Sequence, residues 1–191
     1  MDDGDRAVQD MDQSKPLHHR KERDLLAEPA LPMDRPDALT GVVLASALDP
    51  AAGTSPNRQN DRDQAIFDLC QTARFRPIGL SGPFILHLSV AGHQGLSFEV
   101  HSEENVPLYT YVVSLKPFSR LIKDYDLMIE SFDAAMEEGN RSRIQAIDMG
   151  RRGLHDEAAD LLMARLDGKI AMDRATARRL FTLICLLVRR T

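Results

Sequence analysis

Two neighbouring segments with alternating apolar residues constrain the fold of this chain most strongly. Residues 84–90 and 96–100 both alternate with a period of two, which is the pattern of half-buried strands. The loop between them, residues 91–95, contains two glycines and is typical of a hairpin. If Val90 pairs with Leu96, one face of the hairpin is apolar throughout and faces the core. This face consists of Phe84, Leu86, Leu88, Val90, Leu96, Phe98 and Val100.

Two further strands are predicted beside this hairpin. One extends over residues 108–115, after a polar turn at residues 102–105. The other covers residues 42–48, which begin with a short apolar run, and we expect it at an edge of the sheet. The pattern therefore predicts an antiparallel meander of three or four strands.

Helical periodicity is strongest between Phe118 and Met136. Apolar residues recur there at intervals of three and four over five turns, which indicates an amphipathic helix. They are Phe118, Leu121, Ile122, Tyr125, Met128, Ile129, Phe132 and Met136. An earlier helix is predicted to start at Ser55-Pro56, because serine is a favourable N-cap and proline is tolerated at the first helical position. Asn140 is predicted to cap a third helix.

The last two predicted helices differ in character. The helix after Asn140 contains Gly150 and Gly153, which mark a kink, a break or a close helix contact, because glycine weakens a helix interior. Asp173 caps a final helix that is apolar nearly all round. Such a helix is either the central buried helix or partly an oligomer contact. Together the patterns predict an α+β fold: an antiparallel sheet of three to four strands packed against about four helices.

The chain is predicted to contain one folded domain and one extension. Residues 1–37 are expected to be a disordered N-terminal extension, because their apolar residues are isolated and prolines interrupt any helix. Residues 38–191 then form a single α+β domain. No apolar run approaches the roughly 20 residues of a membrane helix, and no secretory signal is recognisable. We therefore expect a soluble cytoplasmic protein without membrane contact.

Charge and cysteine content exclude several classes of protein. A net charge of −5 argues against a protein that is basic overall, as most non-specific nucleic-acid binders are. The arginines of the last helix, Arg174, Arg178 and Arg179, have only Phe181 nearby for base stacking, and it is predicted to point inward. Two cysteines are too few for a disulfide scaffold or a multi-cysteine zinc site. No nucleic-acid partner and no cofactor are expected.

The most concentrated polar cluster lies in the glycine-containing helix and is the main candidate site. Its members are Asp148, Arg151, Arg152, His155, Asp156 and Glu157. At helical spacing Asp148 faces both arginines, and Arg152 reaches Asp156. Two guanidiniums can hold a phosphate or carboxylate, with His155 as a titratable neighbour. The alternative interpretation is an exposed ladder of ion pairs that contributes little to stability.

Residue spacing offers two weaker candidate sites. In the hairpin register His87 lies opposite Glu99 on the face away from the core, and His101 is on the same face. A carboxylate beside a histidine can orient it for base chemistry, although such cross-strand pairs are also ordinary on sheet surfaces. A metal site is not expected, because the cluster around His155 offers at most two or three ligands from one helix.

Four segments of the sequence resemble a single protein family. The segments are IDMGRRGLHDE at 147–157, ATARRLFTLIC at 175–185, PFSRLIKDY at 117–125 and AIFDL at 65–69. They are similar to a small uncharacterised alphaproteobacterial protein family, UPF family 0262, and the resemblance covers roughly residues 38–191. It implies a bacterial cytoplasmic origin. It implies no mechanism and transfers no catalytic residue.

The sequence leaves two hypotheses for function. The first is a non-enzymatic cytoplasmic binding or regulatory module that recognises a protein partner or a small anion through the cluster around Arg151 and Arg152. The alternative is a small enzyme that acts on an anionic substrate, with His155 as acid or base. A concave pocket containing His155 and a titratable group from the sheet would favour the enzyme. A flat, convex helix face would favour the binding module.

Overall fold

The computed structural model describes residues 35–45, 56–92 and 94–188. All but the last three residues of the predicted extension, 1–37, lie outside the described residues, so its disorder stays a prediction. Those last residues contact the domain through their backbone. The carbonyl of Pro36 accepts a hydrogen bond from Gly82, and that of Asp37 accepts one from Phe75.

Six strands and four α-helices make up the described chain. In order they are β1 (Leu39–Ala45), α1 (Pro56–Thr72), β2 (Phe75–Pro77), β3 (Phe84–Ala91), β4 (Gly95–His101), β5 (Pro107–Ser114), α2 (Ser119–Glu137), α3 (Arg141–Leu166), β6 (Ile170–Met172) and α4 (Arg174–Val188). A single 3₁₀ turn, Lys116–Phe118, leads into α2. The α+β class is therefore confirmed.

The hairpin of β3 and β4 has the predicted register. Val90 pairs with Leu96 and Leu88 with Phe98, and the strands are antiparallel. Because side chains alternate across a strand, this register places the apolar set on one side of the sheet. All of that set is buried except Val90, which is half-buried. Strand β5 continues the meander antiparallel to β4.

The prediction of a purely antiparallel sheet is wrong. The strand order is β1-β3-β4-β5, and β1 runs parallel to β3, so the sheet is mixed. The physical reason is the connection: α1 lies between β1 and β3 in the chain and packs against β1. A helical crossover of this kind returns the chain to the same end of the sheet, which makes the two strands parallel. The edge position expected for the 42–48 strand is correct, but β1 begins at Leu39, and residues 46–48 lie outside the described residues.

A second, two-stranded sheet had not been predicted. Strands β2 and β6 pair antiparallel, with Phe75 opposite Met172 and Pro77 opposite Ile170. Each strand is only three residues long, which is too short for a periodic pattern. This small sheet joins the chain after α1 to the turn between α3 and α4.

Helix α4 is the central buried helix. Leu183 and Cys185 have no exposed surface, and Leu186 is also buried. The helix packs against α1, α2, α3 and β3, which accounts for its apolar character on nearly all sides. Its start is capped as predicted, because the Asp173 carboxylate accepts a hydrogen bond from the backbone N–H of Thr176.

Helix α3 is continuous through both of its glycines. The predicted N-cap is confirmed, since the Asn140 side chain accepts a hydrogen bond from the backbone N–H of Arg143. A Cβ at Gly150 would lie 3.7 Å from the Met128 side chain, and one at Gly153 would meet nothing within 4 Å. The helix therefore neither breaks nor closely contacts another backbone at these positions. Its residues from Asp148 onward remain in helical register.

One residue of the predicted apolar stripe of α2 does not face the core. Met136 is 53% exposed, whereas Leu121, Ile122, Tyr125 and Ile129 are buried as expected. Met136 lies in the last turn of α2, in which Ala135 is the buried residue. Over the described residues, helices with the length and apolar character of a membrane span are absent.

Candidate functional site

A cavity of about 720 Å³ lies where α1, α2, α3 and α4 meet. Its lining contains five arginines. They are Arg151 and Arg152 of α3 and Arg174, Arg178 and Arg179 of α4. Helix α1 contributes Asp61 and Asp68, and α3 contributes Asp148. Two of the arginines are also paired with carboxylates just outside the lining, Arg174 with Asp160 and Arg178 with Asp156, so the five guanidiniums of the site are balanced by five carboxylates.

The predicted fork at Asp148 is present. One of its carboxylate oxygens lies 3.1 Å from a guanidinium nitrogen of Arg151, and the other lies 2.9 Å from one of Arg152. The hydrogen bond from Arg151, with a smaller electrostatic contribution from Arg152, holds the pKa of Asp148 below its usual value. The Arg151 side chain is 42% exposed and that of Arg152 is 71% exposed. Both guanidiniums therefore keep N–H groups that a ligand can reach.

The expected pair between Arg152 and Asp156 does not form. Asp156 instead accepts a hydrogen bond of 3.0 Å from Arg178 of α4. The two helices pack against each other, so the guanidinium of Arg178 lies within reach of α3, while Arg152 turns to Asp148. Arg179 is held in the same way by Asp68 of α1, at 2.9 Å. These two ion pairs fix the arginines of α4 from neighbouring helices.

His155 lies in an aromatic environment at the cavity. Its ring centroid is 5.7 Å from that of Tyr125 and 5.7 Å from that of Phe181, which meets it edge-on at 89°. Its Nε2 atom is buried and has no hydrogen-bond partner. Burial, together with the positive charges of Arg151 and Arg178, lowers the pKa of His155 to about 4. The imidazole is therefore neutral at pH 7.

Tyr125 connects His155 to α1. Its hydroxyl donates a hydrogen bond of 3.4 Å to a carboxylate oxygen of Asp61. Burial raises the pKa of Tyr125, and the charge of Asp61 raises it further, so the hydroxyl stays protonated. Burial also raises the pKa of Asp61, against opposing effects that include the charge of Arg151.

Two of the six members of the predicted cluster do not line the cavity. Asp156 pairs with Arg178 beside it, and Glu157 pairs with Arg120 of α2. Asp148, Arg151, Arg152 and His155 do line it. The structure thus brings four of the six candidates into one concave site.

The histidine pair on the sheet forms a separate cluster. His87 lies opposite Glu99, as the register predicts, but its Nε2 is 2.8 Å from the side-chain oxygen of Asn105. Glu99 lies closer to His101, at 3.9 Å, and the two histidine rings stack with centroids 4.1 Å apart. Among the described residues, no three or more His, Cys, Asp or Glu side chains are arranged to hold a metal ion.

Sequence reasoning missed the part of the site that other helices supply. Asp61 was not singled out, and Tyr125 was assigned to the apolar stripe of its helix, where it is indeed buried. Arg178 was noted only as part of a basic stripe on the last helix. That stripe was the available signal, because three arginines on a helix that is otherwise buried need partners or a ligand.

Comparison with known proteins gives one consistent family. The group described as "Uncharacterised protein family (UPF0262)" matches residues 40–190. A UPF0262 protein of Acidiphilium cryptum is 49% identical over 146 residues, covering 74% of this chain and 88% of the relative. One from Rhizobium leguminosarum is 46% identical over 142 residues, covering 73% and 90%. One from Rhodopseudomonas palustris is 41% identical over 155 residues, covering 80% and 94%. No solved structure matches the chain.

Proposed function

Because this chain belongs to the uncharacterised protein family UPF0262, whose description assigns no activity, we propose its function from the cavity itself: it binds a small anionic molecule without transforming it. The observation that carries this proposal is the convergence of five arginines from two helices on one cavity of about 720 Å³. Pockets that bind small molecules measure roughly 300–1,000 Å³. The cavity therefore has room for an anion with an organic part attached.

The arginines are arranged to receive an anion. Arg151 and Arg152 share a single carboxylate, that of Asp148, so most of their N–H groups have no protein acceptor. Arg178 and Arg179 are held in place by carboxylates of neighbouring helices. Guanidiniums bind phosphate and carboxylate groups in a bidentate manner, and side chains that are already fixed lose less entropy when they bind.

His155 complements these charges. As a neutral imidazole it both donates and accepts a hydrogen bond, and its buried Nε2 has no partner in the protein. The atom is buried in the empty site, so a ligand reaches Nε2 only if the imidazole turns toward the cavity. An unsatisfied buried polar atom costs about 1–3 kcal/mol, so a ligand that draws the ring outward and bonds to Nε2 would recover this free energy.

The shape of the site favours a small ligand over a protein partner. The pocket is open to solvent, and its volume of about 720 Å³ suits a small molecule, whereas protein partners generally need a broad surface of about 800 Å² on each side. Recognition of a protein partner and a cytoplasmic location stay predictions from the sequence.

A small enzyme with His155 as acid or base is the second candidate. It is favoured by the unpartnered Nε2 beside two further titratable groups, Tyr125 and Asp61. These groups belong to helices, not to the sheet from which such a group was expected. The test is the release of inorganic phosphate from p-nitrophenyl phosphate. Release that is lost in His155→Gln would favour the enzyme over the binding module.

The binding proposal is tested by titrating the purified full chain with inorganic phosphate, followed by NMR or calorimetry. We expect saturable binding that weakens at high salt. Arg151→Ala and Arg178→Ala should each weaken it about 10-fold or more, because a hydrogen bond to a charged group contributes about 1.5–3 kcal/mol.

The matched control is Arg143→Ala. Arg143 is an exposed arginine on the same helix, is paired with Glu138, and does not line the cavity. It should change the affinity by less than about 2-fold. Equal weakening by Arg143→Ala and Arg151→Ala, or no saturable binding at all, would overturn the proposal.

A further inference from the structure

Asp61 differs from the other carboxylates of the cavity in having almost no partner. Asp148 pairs with two arginines, and Asp68 accepts hydrogen bonds from Arg179 at 2.9 Å and from Gln64 at 2.8 Å. Within the described chain, Asp61 accepts one long hydrogen bond, 3.4 Å from Tyr125, and is in no ion pair. An ionised carboxylate has about four acceptor positions, so most of those on Asp61 receive no donor from the protein.

The lack of hydrogen-bond donors around Asp61 is energetically unfavourable because of where this residue lies. The residue is half-buried, and desolvation raises its pKa. The charges of Arg151 and Arg58 act on it from a distance and favour the ionised form. A partly desolvated acceptor without donors lowers the stability of the empty site, and a ligand that supplies donors recovers that free energy.

Two kinds of ligand group could donate to Asp61, a hydroxyl or an ammonium. Arg151 and Arg152 share only one carboxylate, that of Asp148, and a further cation beside Arg151 would be repelled. A hydroxyl donates without adding charge. Carboxylates commonly bind sugar hydroxyls in this way, as the acidic residue of dinucleotide-binding folds does.

The two arginines that share Asp148 also favour one kind of anionic group. Arg151 and Arg152 have one carboxylate between them and keep several N–H groups without a protein acceptor. A phosphate monoester offers three acceptor oxygens and about −1.5 to −2 charges at pH 7, whereas a carboxylate offers two oxygens and one charge. Arginine forks suit the oxygens of a phosphate.

We propose that the ligand is a hydroxyl-bearing phosphate ester whose phosphate lies against Arg151 and Arg152 and whose hydroxyl donates a hydrogen bond to Asp61. This inference rests on the proposed function, since it requires that the cavity bind an anion. It adds a specificity residue, because a site built to accept a hydroxyl discriminates against the analogue that lacks one.

The test compares glycerol 3-phosphate with n-propyl phosphate, which is similar in size and lacks both free hydroxyls. Ribose 5-phosphate and inorganic phosphate complete the set of probes. We expect the wild-type chain to bind at least one of the two hydroxylated esters 10-fold or more tightly than propyl phosphate. Asp61→Ala should abolish this preference while it leaves the affinity for inorganic phosphate unchanged or slightly stronger.

The matched control is Asp63→Ala, which removes an exposed carboxylate from the same helix outside the cavity. It should keep the preference, and thermal unfolding of both variants checks that they fold. If wild type binds inorganic phosphate but prefers neither hydroxylated ester, this inference fails while the proposed function stands. An equal loss of all four probes in Asp61→Ala also overturns it, because Asp61 would then act only structurally. If wild type binds none of the probes, both proposals fail.

Discussion

Asp156 of α3 accepts a hydrogen bond from Arg178 of α4 at 3.0 Å, although Arg152 lies one turn away on its own helix. The pair therefore joins two helices at the edge of the cavity and does not stabilise one helix internally. It also fixes the guanidinium whose charge contributes to the low pKa of His155. The electrostatics of the site thus depend on the packing of α3 against α4.

A double-mutant cycle measures the contribution of this pair. We expect Asp156→Ala and Arg178→Ala to show a coupling of about 0.5–1 kcal/mol in urea unfolding, because both side chains are partly exposed and screened by water. The comparison pair is Arg174 and Asp160, which joins the same helices but is more exposed and should couple more weakly. A larger coupling for the exposed pair would contradict this ranking.

The pKa of His155 predicts how stability depends on pH. In the folded chain it is about 4, against about 6.5 when unfolded, so between these values the unfolded state binds more protons. The stability contributed by the neutral ring is complete above pH 6.5 and is lost as the pH falls toward 4. From pH 7 to pH 5 this loss is about 2 kcal/mol.

His155→Gln removes this titration and serves as the reference. Wild type should lose about 2 kcal/mol more unfolding free energy than the variant between pH 7 and pH 5, as measured by urea unfolding. NMR titration of the imidazole gives the folded pKa directly. A midpoint near 6.5 would contradict a ring packed between Tyr125 and Phe181.

The thiols provide a test of burial that does not depend on the site. Cys185 is completely buried at the centre of α4 and Cys70 is half-buried on α1, and burial raises the pKa of both. We expect Cys185 to resist a thiol reagent at pH 8 until the chain unfolds, since the thiolate is the reactive form. The Cys70→Ser variant keeps Cys185 as its one thiol, so modification of this variant reports on Cys185 alone. Rapid modification of Cys185 in this folded variant would show that α4 is not central.

The local part of the fold could be predicted from the sequence, and the non-local part could not. The hairpin register followed from alternation, because a shift by one residue would have exposed its whole apolar face. The parallel direction of β1 had no such signal, since a short apolar run looks the same in either direction. Strands β2 and β6 are too short to show a period, and they pair across almost one hundred residues of the chain.

The same contrast holds for the candidate site: its residues that are close in sequence could be predicted together, and those from other helices could not. Asp148, Arg151, Arg152 and His155 are close in sequence, so helical spacing alone brought them together. Asp61 is separated from them by almost ninety residues and reaches the cavity only because α1 packs against α4. Tyr125 fits the apolar periodicity of α2, so the pattern indicated a core residue and not a hydroxyl that belongs to a site. The arrangement of charges between helices is a property of the packed structure.

The two glycines of α3 give a last prediction, because the helix continues through both of them. Gly153→Ala should raise the free energy of unfolding by about 0.5–1 kcal/mol, since alanine favours a helix interior and its Cβ would meet nothing within 4 Å. Gly150→Ala should have a similar effect, because its Cβ would make an ordinary contact of 3.7 Å with Met128. The control is Gly139→Ala, at a position with φ of +64°, which should destabilise the chain instead. Chemical denaturation measures all three changes. Destabilisation by Gly153→Ala comparable to that of the control would show that α3 must bend at this position.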